Sequence, residues 1–311
     1  MEFRQITSDQ DWSDAANLRN KFFWNSPLDP EEMKSFFEMN VNQLRPEVRE
    51  LLHADGEAIA FGGASQNASA QGGQDFWLRL AVDPDRADCA ELFQTILQRS
   101  IETAKGLGAE TVRYETRSEY PWTVAILEKH GFEFSMRLPL SALNVQEVSY
   151  PPIGLPQGHQ IVNIIEYESM FPETWEHDLW RIEMDVAVDL PLPFPFEESP
   201  FEDYREELRD PLLSRESQFV YLIDNQIAGT TQLHPTRVDS RYAVNGLTGT
   251  RRQFRRQKVA MHLKQTSAIW AKAQGIEQIF TDNEENNPMY QLNLQLGFKH
   301  LFDNLVFSRS I

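Results

Sequence analysis

One ordered series of landmarks occurs twice in this chain of 311 residues, and any fold it adopts must accommodate the series twice. In the first half, Val82-Asp83-Pro84-Asp85-Arg86 leads into a helical pattern of Leu92, Phe93, Ile96, Leu97 and Ile101, which stops at Lys105-Gly106-Leu107-Gly108. A strand pattern follows at Thr111-Val112-Arg113-Tyr114, then a helix through Val124-Ala125-Ile126-Leu127, then His130-Gly131-Phe132. In the second half, Thr250 to Ala260 leads into Leu263, Ala268, Ile269 and Trp270, stopping at Gln274-Gly275. The strand Gln278-Ile279-Phe280-Thr281, a helix through Met289, Tyr290 and Leu292, and Leu296-Gly297-Phe298 complete it. The intervals agree within about two residues, inside the boundary error of such patterns.

The segments ahead of each series also correspond. Phe3-Arg4-Gln5-Ile6 and Gln160-Ile161-Val162-Asn163-Ile164 have strand patterns, and helical patterns follow over Asp11 to Phe23 and Glu168 to Ile182. Each half then has a hairpin signal, with turns at Asp55-Gly56 and Asp224-Asn225. Tyr150-Pro151-Pro152-Ile153-Gly154-Leu155-Pro156 reads as a linker. The expected organisation is therefore a domain over residues 1–149, a linker over 150–159 and a second domain over 160–311. Asp185 to Glu197, with prolines at 191, 193 and 195, is expected to be an extended apolar loop, either one wall of a pocket or a packed connector.

Charge narrows the function classes. The formal net charge is −18, and nucleic acids are held chiefly by Lys and Arg neutralising phosphates, so no nucleic-acid partner is expected. The single cysteine, Cys89, rules out an internal disulfide and a cysteine-based metal cluster, and no metal site is expected. The N-terminal residues lack the basic start and apolar core of a secretory signal, and no apolar run approaches a membrane span. The expectation is a cytoplasmic protein without a membrane partner.

Against that acidity, Arg251-Arg252-Gln253-Phe254-Arg255-Arg256-Gln257-Lys258 is a cluster of cations leading straight into a helical pattern. Unpaired backbone N–H groups and the helix dipole converge at such a start, so this turn suits a phosphate-bearing ligand. The second half resembles a GCN5-related N-acetyltransferase (GNAT) domain, and the first half resembles a diverged copy. The family's cofactor loop reads Arg or Gln, two spacers, Gly, one spacer, then Gly or Ala. Arg255, Lys258 and Ala260 occupy those places, with Arg256 and Gln257 as spacers and Val259 before Ala260; Lys258 stands where Gly is usual. Asn286, Pro288, Met289, Asn293 and Leu296-Gly297-Phe298 match a second pattern of a family subgroup.

The resemblance implies an α/β (α+β) fold of two tandem GNAT-like domains, each a central mixed, mostly antiparallel sheet flanked by helices. It implies acetyl-CoA as co-substrate, its pyrophosphate on the turn from Arg255 to Ala260 and its pantetheine arm beside Asn283, Asn286 and Asn293. The oxyanion contact would come from a backbone N–H of the strand carrying Thr248 and Thr250. Many family members place a tyrosine where Asn293 sits, as the acid that protonates the departing thiolate; Tyr290, three residues earlier, is the substitute here. Glu183, Asp185 and His234 are candidates for the base, with no spacing that singles one out. The first half's loop, Arg86-Ala87-Asp88-Cys89-Ala90-Glu91, carries carboxylates where pyrophosphate would lie, and Leu127 replaces the family tyrosine, so this copy is expected to be non-catalytic.

The resulting expectation is direct acetyl transfer, without a covalent enzyme intermediate, to a primary amine of a small molecule or peptide. The alternative is a degenerate acyl-CoA-binding or regulatory module. Either a monomer with pseudo-dimeric lobes or a homodimer fits two such copies.

Overall fold

The computed structural model describes residues 1–42, 45–70 and 73–311. Its elements run in chain order β1 (Glu2–Gln5), α1 (Asp9–Phe22), α2 (Pro30–Asn42), β2 (Glu47–Ala54), β3 (Glu57–Gln66), β4 (Asp75–Leu78) and β5 (Ala81–Val82). Then come α3 (Cys89–Gly106), β6 (Thr111–Arg117), α4 (Pro121–Lys129), β7 (Glu133–Asn144), β8 (His159–Asn163), α5 (Ile164–Met170) and α6 (Trp175–Ala187). The remainder is α7 (Phe201–Leu208), β9 (Phe219–Ile223), β10 (Gln226–Pro235), β11 (Tyr242–Thr250), α8 (Val259–Ala273), β12 (Gln278–Asp282), α9 (Pro288–Gln295) and β13 (Lys299–Ser310). The chain forms two compact units. One is Met1–Pro139 with Pro193–Glu197 and Phe302–Ile311; the other is Leu140–Leu192 with Glu198–Leu301.

Local chemistry repeats between the units. In each, the first strand runs into a helix closed by a capping box: Ser8 with Asp11, and Asn163 with Glu166. Both hairpin turns place two residues at positive φ, Asp55 (51°) with Gly56 (88°) and Asp224 (47°) with Asn225 (64°). Those angles match the right-handed twist of the flanking strands. The helical pattern expected from Glu168 to Ile182 is two helices, because Pro172 disfavours helical backbone at Phe171 and ends α5 there. The segment expected to be extended from Asp185 is helical through Ala187, since the first proline to interrupt it is Pro191.

In the first unit the strand order is β1-β2-β3-β4-β6-β13, with β5 against β3. Its buried core joins Phe22, Phe61, Phe93, Ile96, Leu97 and Tyr114. In the second unit the order is β8-β9-β10-β11-β12, and Leu140–Asn144 of β7 pairs antiparallel with β12. Among the described residues each unit has one parallel strand pair, and in each it is short. β4 meets β6 at Asp75↔Thr111, Phe76↔Val112 and Trp77↔Arg113, and β11 meets β12 at Tyr242↔Gln278, Ala243↔Ile279 and Val244↔Phe280. Beyond Val244, β11 continues to Thr250 against β10 alone, so the two strands part.

Two glycines let helices close on that strand. A Cβ on Gly249 would lie 2.5 Å from Val186 Cβ and under 3 Å from both of its methyl carbons, so α6 packs directly on β11. A Cβ on Gly229 would meet the Gly249 carbonyl at 2.6 Å and Val259 Cγ1 at 2.7 Å, where α8 begins. Val186 is β-branched and held to one rotamer in a helix, so it cannot swing aside. Gly249→Ala is expected to cost about 1–3 kcal/mol by overpacking, measured by urea unfolding. Adding Val186→Ala should recover part of that loss, a coupling that two independent sites would not show.

Candidate active site

β11 ends at Thr250 and α8 starts at Val259, so the basic turn spans the mouth of the parted strands. It opens with a 3-10 turn, Arg252–Phe254, and then places Arg256 (φ 66°) and Lys258 (φ 62°) in the left-handed region. Lys258 is the N-cap residue of α8, with no side chain capping it. That conformation accounts for glycine being usual at this place: it is the backbone angle, not the side chain, that the loop requires. Left-handed residues at alternate positions bend the backbone as in turns that present successive N–H groups to an anion. Among the described residues, the first N–H of this helix with a main-chain acceptor is that of His262, which bonds the Lys258 carbonyl. The N–H groups ahead of it face outward at the positive end of the helix dipole.

The cations of this turn do different work. Arg251 donates from Nε to Asp185 Oδ2 at 2.8 Å and from Nη1 to the Ile227 carbonyl at 2.9 Å. Asp185 also takes Arg181 at 3.0 Å, so this carboxylate is shared by two guanidiniums and fastens α6 to the end of β11. Arg252 reaches Asp189 at 2.5 Å, and Arg255 pairs with the same carboxylate. Those hydrogen bonds, Arg252 first, hold the Asp189 carboxyl at about 2. Among the described residues Arg256 and Lys258 have no carboxylate partner, and both are exposed. They are the cations left for a ligand.

Deeper along β11, the pairing with β10 slips between Thr231 and Leu233, and Gly246 and Leu247 form the bulge opposite. Several polar side chains converge there. A Cβ on Gly246 would sit 2.8 Å from His234 Nε2 and 3.1 Å from Gln232 Oε1, so glycine leaves the space that these groups line. Gln232 Oε1 accepts the Leu247 N–H at 3.2 Å, and the Gln232 side chain also hydrogen-bonds Glu183. Tyr204 donates its hydroxyl to Glu183 Oε1 at 2.7 Å. Burial pushes the Glu183 carboxyl up to about 7 against the pull of those two hydrogen bonds. Burial lowers the His234 imidazole, which favours its neutral form. A carboxyl near 7 beside a gap in the sheet is suited to accept a proton at neutral pH.

Asn245 latches the bulge from the other side. Its Nδ2 donates to the Gln232 carbonyl at 2.8 Å, and Thr248 Oγ1 lies 3.1 Å away, itself 2.7 Å from Thr231 Oγ1. Asn245 Oδ1 accepts from Lys264 Nζ at 2.8 Å. Lys264 is buried on α8, with its ammonium 5.5 Å from the Phe298 ring centroid, and burial lowers it to about 7. Sequence reading passed over Lys264, although it stands three residues before Ser267 and four before Ala268 on the face that α8 buries.

On the β12 side, the structure joins two of the expected asparagines: Asn293 Nδ2 donates to Asn283 Oδ1 at 2.6 Å, and Asn293 is fully buried. Asn286 folds back locally, its amide nitrogen donating to Glu284 Oε1 at 2.8 Å. Asn287 caps α9, accepting the Met289 N–H at 2.9 Å. Tyr290 is half-buried in the first turn of α9, three residues before Asn293 and so on the same side of the helix. Thus Glu183 and His234 meet at the bulge, Asp185 stands with Arg251, and Tyr290 stands on α9.

The sequence profile of the acetyltransferase (GNAT) family matches residues 177–298, the stretch that carries α6, the bulge, the basic turn and α9. Residues 177–298 carry a GNAT-family domain. Apart from Pro193–Glu197, that stretch lies in the second unit, and the acetyltransferase family it matches uses acetyl-CoA generally. Among solved structures, a tandem GNAT protein from the clavulanic acid biosynthesis pathway is 15% identical, with 99% of this chain and 98% of that one covered at a TM-score of 0.75. A GCN5-related N-acetyltransferase from Sphaerobacter thermophilus is 17% identical over 99% and 95% of the two chains, TM-score 0.71. An acetyltransferase from the GNAT family of Colwellia psychrerythraea is 15% identical over 99% of both, TM-score 0.65. These are likenesses of fold. No curated protein matches the chain by sequence. Among the described residues, no helix is long and apolar enough to cross a membrane.

The two units differ at the turn before the long helix. In the first, Arg86 is spent on Asp88, with two hydrogen bonds of 2.9 Å, and the Arg86 and Cys89 N–H groups bond carbonyls within the turn. None of its described residues has positive φ, so it lacks the bend of the second turn. For the second copy, the left-handed angle at 258 makes a sharp expectation. Lys258→Gly should melt no lower than the parent, whereas Lys258→Val, β-branched at positive φ, should lose about 1–2 kcal/mol in urea unfolding.

Proposed function

We propose that the second unit binds acetyl-CoA across the parted strands β11 and β12 and passes the acetyl group directly to a primary amine of a small molecule or peptide. One observation carries this reading: β11 and β12 separate after Val244↔Phe280, and β11 runs on through a bulge, where Gln232 links Leu247 to Glu183, into the basic turn. Arg256, Lys258 and the outward N–H groups from Gln257 through Ala260 would hold the pyrophosphate. Arg255 positions the turn through Asp189. Asn283 and Asn293, already joined, would flank the pantetheine arm with Asn286 at its outer end. When bound, the co-substrate supplies an activated acyl thioester.

The protein's part is then positioning and proton handling. Glu183 is the proposed base rather than Asp185, because Asp185 is committed to two guanidiniums and Glu183 is not. Deprotonated, Glu183 takes a proton from the incoming ammonium, leaving a neutral amine as nucleophile. His234, favoured neutral, lines the same hollow at Gly246. Main-chain N–H groups of β11 beyond Val244, from the bulge to Thr248 and Thr250, would steady the developing oxyanion. Tyr290 is the proposed acid for the departing thiolate. The first unit's turn offers neither left-handed residues nor a spare cation, which favours one acetyl-transfer site per chain.

Calorimetry with acetyl-CoA tests the binding step. Saturable binding is expected, weakened about 10- to 100-fold by Arg256→Glu; absence of binding at millimolar ligand would overturn the reading. For the chemistry, thiol release across amines should give a kcat/KM that rises with pH through about 7, as Glu183 deprotonates. Glu183→Gln should lower kcat/KM about 10²- to 10⁴-fold and abolish that rise while acetyl-CoA still binds. A variant that keeps the rise would exclude Glu183 as the base.

A further inference from the structure

The first unit gathers several arginines, with Glu32 near Arg19, Glu47 and Glu115 near Arg79, and Glu119 and Glu115 near Arg117. Arg19 on α1 and Arg117 at the end of β6 both lie against one ring, Phe23, at 5.3 and 5.1 Å from its centroid. Arg117 is 1% exposed, and its guanidinium is enclosed further by the rings of Trp24 and Phe302. One Nη meets Asn25 Oδ1, but Nε and Nη1 have no hydrogen-bond partner, and the Glu119 carboxylate stands off at 3.7 Å. Arg19 donates only to neutral oxygens, the Ser26 carbonyl at 2.7 Å and Asn20 Oδ1 at 3.3 Å. Arg79 donates from Nε to Ser65 Oγ at 2.9 Å. Among the described residues, neither Arg19 nor Arg79 has a carboxylate partner.

A fourth arginine shows the contrast. Arg49 is paired with Glu47 at 2.5 Å, and Glu47 faces Ser65 across the β2–β3 ladder, so this neutral pair adjoins the anchor of Arg79. Arg79 comes just after β4, and Arg117 closes β6. Both lie beyond Trp77↔Arg113, the last pair before those strands part, the first unit's counterpart of the gap between β11 and β12. Arg79 remains exposed and Trp24 is 38% exposed, so the cluster opens to solvent. Burial, then the like charges of Arg79, Arg117 and Arg49, lowers Arg19 to about 10, which still leaves it cationic at neutral pH. The neighbouring carboxylates stand back from Arg19 and Arg79: among the described residues neither guanidinium is in an ion pair, and Arg117 reaches Glu119 only at 3.7 Å.

We propose that the first unit binds a small organic anion, a carboxylate or phosphate monoester, through Arg19 and Arg79, with Arg117 behind them and the Phe23 and Trp24 rings beside its organic part. Planar guanidiniums meet a carboxylate or phosphate bidentately, and the Nε and Nη1 groups of Arg117 are buried with no hydrogen-bond partner. The site is independent of acetyl-CoA binding in the second unit.

The test uses the full chain carrying Arg256→Glu, so that the basic turn of the second unit does not take the probe. Benzoate and inorganic phosphate are titrated separately by calorimetry at constant ionic strength, with chloride as the control anion. Saturable binding of at least one is expected, and which one binds distinguishes carboxylate from phosphate. Arg79→Met, and separately Arg19→Gln on a different element, should weaken it about tenfold or more. Arg79→Met should also raise the melting temperature without anion, because it removes a like charge from the cluster, and should lose the anion-dependent rise of the parent. Absence of binding by both probes would overturn the proposal, as would affinity unchanged in both variants or an anion-free Arg79→Met that melts lower than the parent.

Discussion

Two parallel strands that stay paired for only three residues set the layout of the second unit. Had β11 and β12 continued together past Val244 and Phe280, their main-chain groups would have satisfied one another and closed the sheet. The bulge at Gly246 and Leu247, latched by Asn245 and Gln232, turns β11 away instead. The same departure carries the chain into the basic turn and the start of α8, so one deviation in a sheet creates both the gap and the anion site at its mouth. Gly229 and Gly249 allow α6 and α8 to close on the β10–β11 pair, and Glu183 of α6 reaches Gln232 beside the bulge.

The cost of this arrangement falls on electrostatics. Glu183 is held where its charge is poorly solvated, and Lys264 is buried with an amide and an aromatic ring for company. Buried ionisable groups with only neutral partners weaken a fold. Here they border the bulge, where shifted protonation is of use. The first unit repeats the scaffold with different charges. Its turn pairs Arg86 with Asp88, whereas Arg19, Arg79 and Arg117 collect beyond the end of its parallel pair. The two copies thus share a gap and differ in what they present to it.

Much of this was legible in the sequence, because the landmarks are local. Capping boxes, the Asp-Gly and Asp-Asn turns and the glycine stops each follow from a few neighbouring residues. The basic turn was legible for the same reason, although its sequence shows only charge; that Arg256 and Lys258 take left-handed angles is a property of the folded loop. The split of the expected helix at Pro172 and the continuation of α6 to Ala187 show where periodicity yields to a proline's exact place. What could not be read was long-range. Asp185, Glu183 and His234 are similar candidates along the chain, and only packing gives Asp185 two guanidiniums and Glu183 a tyrosine. The strands at the chain's ends are equally non-local: Asn304–Ser310 pairs with β6, and Leu140–Asn144 with β12.

Hydrogen–deuterium exchange with and without acetyl-CoA tests the central claim most directly, since it reads backbone N–H groups along the whole chain. Slower exchange on adding acetyl-CoA is expected over residues 256–261 and along β11 from Gly246 to Thr250, with no change over residues 86–92. Protection at 86–92, or none at 256–261, would contradict that claim.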